Sequence, residues 1–231
     1  MNYQNQDRYM TVAEGFMAKV YGWMCVGLAL SAAVSYYIMS HPIIFGKIFS
    51  NMWMFLGIFV LSLGLIFAIG YGFARMSYGF VVACYLAFVV LQGVVITPIL
   101  FKYTGTSVVS VFLITSLMFF GMALYGTFTK ADLSSMGNIL LMGLWGLIIC
   151  GLVNFFLQSS LFETFISACG VGIFSLFIAY DVQMLRRLSQ QMMMTNQDAG
   201  KFAVMGALNL YMNMLNLFIS LLQLFGEEKK K

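Results

Sequence analysis

The sequence predicts an all-α fold, a polytopic membrane protein built as a seven-transmembrane-helix bundle, and three observations predict it. Hydrophobic side chains make up 61% of the chain and charged ones only 9%, where a soluble domain carries roughly a quarter. Asp, Glu, Lys and Arg are absent from seven stretches, 20–46, 48–74, 76–101, 103–129, 133–162, 164–180 and 202–226. Within them, runs such as 57-GIFVLSLGLIFAIG-70 and 139-ILLMGLWGLIICGL-152 are apolar on every side. Barrel strands would alternate in polarity over about 10 residues, so helices are the spanning structure to expect.

A helix needs about 20 apolar residues to cross the hydrocarbon layer. That places spans near 18–39, 52–74, 78–101, 107–128, 136–157, 164–185 and 203–225. The organisation expected is a short cytoplasmic N-terminus (1–17), one transmembrane domain (18–225) and a basic C-terminal tail (226–231). The first apolar run is too long for the core of a signal peptide and is expected to stay as an anchor. Pro98 is expected to kink span three. Glycines and small pairs such as Ala168 and Gly172 are expected to let helices approach closely.

Composition also removes function classes. One His41 and no HExxH exclude a His-rich zinc site. Cys25, Cys84, Cys150 and Cys169 fall inside apolar runs with no ligand spacing and read as packing residues. No phosphate-cradling loop occurs. The net charge of +4 sits mostly in loops and in Lys229, Lys230 and Lys231, which suits lipid headgroups rather than nucleic acid. The expected partner is the bilayer, and no cofactor is expected.

Lys and Arg in short loops set orientation. Arg8, Lys19, Arg75, Lys130, Arg186, Arg187 and Lys201 fall on the N-terminal side, against Lys47 and Lys102 opposite. The N-terminus is therefore expected in the cytoplasm. Seven spans then carry the tail lysines outside, against the rule, so a re-entrant last segment that returns them inside is the alternative.

The polar residues within the spans point to a site. The charge-free run before Asp181 reaches only about 25 Å as helix, whereas Glu163 to Arg186 reaches about 33 Å, so Asp181 is expected at membrane depth. A carboxyl there needs a partner, a proton or a hydrated cavity. Span two delivers Arg75 to the same end. A guanidinium favours the ionised acid and an apolar surrounding the protonated one, so Asp181 and Arg75 are suited to a proton-sensitive latch. Arg75 as a plain headgroup anchor is the structural alternative. In the last span Asn209, Asn213, Asn216, Ser220 and Gln223 recur at helical spacing on one face. Their amide oxygens beside Asp181 suit transient calcium, with Asn209 the easier neighbour by depth. Gln92, Thr97, Asn154 and Ser175 extend the polar set, chiefly as ordinary helix-to-helix hydrogen bonds. The segment 188-LSQQMMMTNQDAG-200 reads as a flexible loop.

The elements 125-YGTFTKADLSSMG-137, 177-FIAYDVQML-185 and 206-GALNLYMNMLNLF-218, in that order, resemble the transmembrane Bax inhibitor motif family, and 20-VYGWMCVGL-28 resembles its bacterial branch. The resemblance implies a seven-helix bundle with the last helix central, a pH-sensitive calcium leak, and a bacterial inner-membrane location. It implies that Asp181 and Arg75 take the places of a helix-six aspartate and a helix-two arginine. In the family the helix-six acid shares a proton-dependent hydrogen bond with a second aspartate in the last helix, onto which the arginine latches; here Asn213 takes that second place, which leaves one negative charge for a cation and predicts weaker calcium affinity with a one-site pH response. Three other readings stand beside this one. A regulatory or interaction protein without conduction of its own, bound to another membrane protein, is the main alternative. An intramembrane aspartyl protease lacks its second buried acid, since Asp132 lies in a loop; no enzyme is expected. A retinal receptor lacks a Lys in the last span.

Overall fold

The computed structural model describes residues 3–195 and 199–229, with side chains from 14–191 and 199–229. Among the described residues there are eight α-helices, one short 3₁₀ turn and no strand. The helices are α1 (Tyr3–Ser40), α2 (Pro42–Phe49), α3 (Met52–Gly72), α4 (Tyr78–Lys102), α5 (Gly105–Phe128), α6 (Gly137–Leu157), α7 (Ser160–Thr195) and α8 (Ala199–Phe225). All but α2 are long and apolar enough to cross a membrane, as Glu14–Ser40, Met52–Gly72, Tyr78–Lys102, Gly105–Phe128, Leu133–Leu157, Ser160–Gln191 and Ala199–Phe225. The last span is the most buried, at 61% against 6–39% for the others.

The polar head is helical from Tyr3, and the side chains of residues 1–13 lie outside the described ones. A short helix, α2, fills the connection after α1; Pro42 stands in its first turn, where the fixed φ is already helical and no N–H is missed. The segment read as a loop from 188 is helix through Thr195; the side chains of Met192, Met193 and Met194 lie outside the described residues, as do Lys230 and Lys231. Pro98 sits inside α4, which runs on to Lys102.

The chain packs as two compact units, Met1–Lys102 with Met192–Tyr211, and Tyr103–Gln191 with Met212–Lys231. In the first, α1 lies along α4. Its buried residues Val20, Met24, Gly27, Ser31, Ser35 and Ile38 recur at three and four positions, one stripe of a helix. At Gly93 of α4 the two backbones meet so closely that a Cβ there would lie 2.7 Å from the Ser31 carbonyl oxygen and 2.9 Å from Val34 Cβ. The approach lets Ser35 Oγ donate to Gly93 O at 2.6 Å. Farther along, Tyr85 OH donates to Trp23 O at 2.8 Å. Without water to solvate backbone carbonyls, such bonds join spans that apolar contact alone does not drive together. The helix α3 also packs on α4, is capped by Asn51 Oδ1 accepting from Trp53 N–H, and has only 11% of its apolar span buried.

In the second unit the α5–α6 connection is clamped onto α7. Gln183, 7% exposed, accepts from Leu133 N–H through Oε1 at 2.9 Å and donates through Nε2 to Ala131 O at 2.9 Å. Arg186 donates to Thr127 O at 3.1 Å, and Arg187 pairs with Asp132 at 2.7 Å. Gly126 of α5 lies against the Ala179 backbone, where a Cβ would stand 2.9 Å from Ala179 Cα. Ala168 is exposed and Gly172 faces open space, so the expected small pair makes no such approach; the α7 face that packs carries Gly170, set against Ser220 Oγ. The re-entrant alternative is overturned. Helix α8 is continuous over 27 residues, about 40 Å. The chain after it pairs with the start of α5: Thr104 N–H donates to Glu227 O at 2.9 Å and Glu227 N–H to Ser107 Oγ at 2.9 Å.

Gly93→Leu, which drives a side chain into the Ser31 backbone, lowers thermal stability in detergent by about 1–3 kcal/mol, whereas Gly57→Ala, with nothing within 4 Å, changes it little; equal midpoints for both would contradict the α1–α4 contact. At the clamp, hydrogen bonds from the Ser134 side chain and backbone, then Arg187, hold the Asp132 carboxyl down at about 2, below the roughly 3.9 of an unfolded chain. A lowered value means that the contribution is complete above about pH 4 and lost as pH falls through about 2. Amide exchange at Ser134 therefore stays slow down to about pH 4 and accelerates below it once intrinsic exchange is subtracted, and Asp132→Ala abolishes the transition.

Candidate functional site

Asp181 stands within α7 between Tyr180 and Val182, and its Oδ2 accepts a hydrogen bond from Asn213 Nδ2 of α8 at 2.7 Å. Both side chains are half-buried. Their neighbours along the helices, Ile178, Ala179, Val182, Met214 and Leu217, are buried. The contact belongs to the second unit. An ionised carboxyl has only acceptors and an amide nitrogen only donors, so this orientation suits a charged carboxyl.

The depth of this contact corrects the expectation for Asn209, which belongs to the first unit and is exposed. The physical reason is the length of the hairpin. Because α7 continues past Arg186, Asp181 stands 14 residues before Thr195, and Asn213 stands 14 residues after Ala199. Each is then about 21 Å from its own helix end, which brings Asn213 level with Asp181 in antiparallel helices. Asn216 is half-buried on the next turn. Beyond it on the same face Ser220 is buried and Gln223 half-buried; Gln223 Oε1 lies 2.8 Å from Ser167 Oγ. The polar stripe of α8 is thus met by polar or small residues of α7 at Asp181, Gly170 and Ser167.

Arg75 lies in the first unit, exposed in the turn after α3, where its backbone N–H bonds to Gly72 O at 2.9 Å. Of the weaker polar candidates, Thr97 Oγ1 donates to Gly93 O of its own helix at 2.7 Å. Asn154 Oδ1 accepts from Ser159 N–H at 3.1 Å. Gln92 is half-buried, and the buried Ser175 Oγ has no hydrogen-bond partner among the described residues.

Sequence reasoning missed Gln183 and Ser167. The signal for Gln183 was present, a glutamine two residues beyond Asp181 in an otherwise apolar stretch. Ser167 gave none, since its role depends on the register of α7 against α8.

For metal chemistry the arrangement offers one carboxylate and one amide. Among the described residues no group of three or more His, Cys, Asp and Glu side chains gathers in a way that could hold an ion. Calcium at Asp181 and Asn213 would have to displace the amide N–H and draw on the Asn213 oxygen and water.

The family profile described as "Inhibitor of apoptosis-promoting Bax1" matches residues 13–230. A protein of Borreliella burgdorferi is 38% identical over 224 residues, 97% of both chains. The Escherichia coli K12 protein named "Inner membrane protein YbhL" is 35% identical over 215 residues, 93% of this chain and 92% of that one. A membrane protein of Streptococcus pyogenes serotype M3 is 34% identical over 215 residues, 91% and 92% respectively. A multi-pass arrangement of seven apolar helices, a match along nearly the whole chain and relatives that share its length agree: the chain belongs to the Bax inhibitor-like family of membrane proteins.

Proposed function

We propose that this protein is a passive, pH-sensitive cation leak, with calcium as cargo, gated by protonation of Asp181. The observation that carries the reading is the hydrogen bond from Asn213 to Asp181 within two membrane-spanning helices. An acid at membrane depth without function is a liability that insertion penalises by a few kcal/mol.

The amide supplies the switch. Asn213 donates to the carboxylate; once protonated, Asp181 becomes a donor at one oxygen, and the amide answers by turning its carbonyl toward it. That reversal reorients Asn213 while the negative charge disappears. Protonation is thereby the opening signal, and deprotonation re-forms the closed pair. A single titrating acid implies a one-site pH response, and a single carboxylate implies weak hold on calcium.

In this reading the N-terminus is cytoplasmic by the positive-inside count, and the membrane is a bacterial inner membrane, the location in the printed name of the Escherichia coli relative. The family description, which names inhibition of Bax1, favours a second reading, a regulatory protein that acts on another membrane protein without conducting.

Calcium uptake by proteoliposomes loaded with a calcium dye separates the two. The leak reading expects wild-type flux to rise about tenfold per pH unit down to the midpoint of one titration. It expects Asp181→Asn to conduct without pH dependence, Asn213→Leu to raise the basal leak, and Asn213→Asp to broaden the response and tighten calcium binding. Unchanged pH dependence in Asp181→Asn contradicts the gate. No flux in any variant, with a membrane protein recovered by mild-detergent co-purification, favours the regulator.

A further inference from the structure

At the end of α7 opposite Asp181, the second unit carries an open pocket of about 450 Å³ that the gate does not use. It opens at the elbow where α6 stops at Leu157 and α7 begins at Ser160. Asn154, Gln158, Glu163 and Gln223 supply its polar wall. None of the lining residues is Lys, Arg, His or Cys.

The fold sets each of these side chains. Asn154 Oδ1 spans the elbow to Ser159 N–H. Gln158 holds a left-handed backbone with φ 50°, a conformation no other non-glycine residue adopts among the described ones. Its N–H closes α6 on Asn154 O at 2.7 Å. Glu163 rides the first turn of α7, half-buried. Gln223 arrives from α8 against Ser167, whose hydroxyl lies 2.8 Å from both Gln223 Oε1 and Glu163 O. Ser167 has one proton for those two acceptors. A turned Gln223 amide would donate to Ser167 and free its own carbonyl oxygen for the cavity.

One carboxylate without a basic neighbour in the wall, three amides and no nitrogen or sulfur ligand make a donor set for a hard cation. The pocket is open and large enough for several waters, so the ion would keep part of its hydration shell. We propose that this cavity is a divalent-cation site that takes partly hydrated calcium and loads the path ending at Asp181. Its role, though not its occupancy, rests on the leak reading. Along α7 from Glu163 to Asp181 is about 27 Å. Between them stand Ser167, Gly170 facing Ser220, and Ser175 with its buried, unpartnered hydroxyl. One carboxylate backed by three amides and water puts the site at the weak end of calcium sites, on the order of millimolar, and a conducting site must release what it binds.

Radioactive calcium binding to the purified full chain in detergent, measured alongside proteoliposome flux, tests the site. Wild type is expected to bind with millimolar affinity, Glu163→Gln about tenfold more weakly and Gln158→Gly about twofold more weakly, while Asp181→Asn still binds. Glycine suits the left-handed backbone at 158, so Gln158→Gly removes the amide side chain without straining the elbow and decides the matter if Glu163→Gln fails to fold. No binding at 10 mM calcium (about ten times the expected dissociation constant), or equal binding in wild type and both cavity variants, overturns the site. Binding that weakens as expected while wild type passes no calcium upholds the site and sinks the leak.

Discussion

A carboxyl group carried into the hydrocarbon layer must find its partner inside the protein, and in this chain the partner of Asp181 is the amide of Asn213. Much of the second unit can be understood as what holds those two groups level. The clamp of Gln183, Arg186 and Arg187 on the α5–α6 connection fixes the same stretch of α7 from one side. The close approach at Gly126 presses α5 against the residues just before Asp181. At the far end, the pairing of Glu227 with Thr104 and Ser107 fixes where α8 stops.

Exchanging a second acid for Asn213 changes the chemistry more than the shape. Two carboxylates share a proton only because both cannot stay charged side by side. An acid and an amide have no such conflict; the amide presents a donor to one protonation state and an acceptor to the other. In the proposed gate the pair is complete in both states, and what changes on protonation is the direction of the hydrogen bond and the local charge. Only such a difference between states lets a proton bias a conformational equilibrium.

The fold was legible because lipid leaves few options. Charge-free runs gave all seven spans within a few residues, except the first and sixth, whose helices continue past Lys19 and Arg186. Composition failed there for a physical reason: a helix need not stop where the membrane does, and polar sequence tolerates helix as well as loop. Asp181 was legible as an acid in a run too short to span without it. Asn213 was legible as part of a stripe. The depth count pointed to Asn209 because it took no account of how far α7 continues beyond Arg186, whereas the family resemblance had already put Asn213 in the place that meets the acid. The cavity at Glu163 was hidden for a similar reason: Asn154, Gln158 and Gln223 come together only when α6 turns back at a left-handed residue that sequence gave no cause to expect.

The central claim is that one protonation event at Asp181 reverses its hydrogen bond with Asn213. The most direct measurement is a pH-difference infrared spectrum of the purified protein. The account predicts one protonated-carboxyl band that appears on acidification together with a shift of an amide carbonyl band, both absent from Asp181→Asn and the second absent from Asn213→Leu. A carboxyl band that persists in Asp181→Asn, or that titrates in wild type with no accompanying amide change, would contradict it.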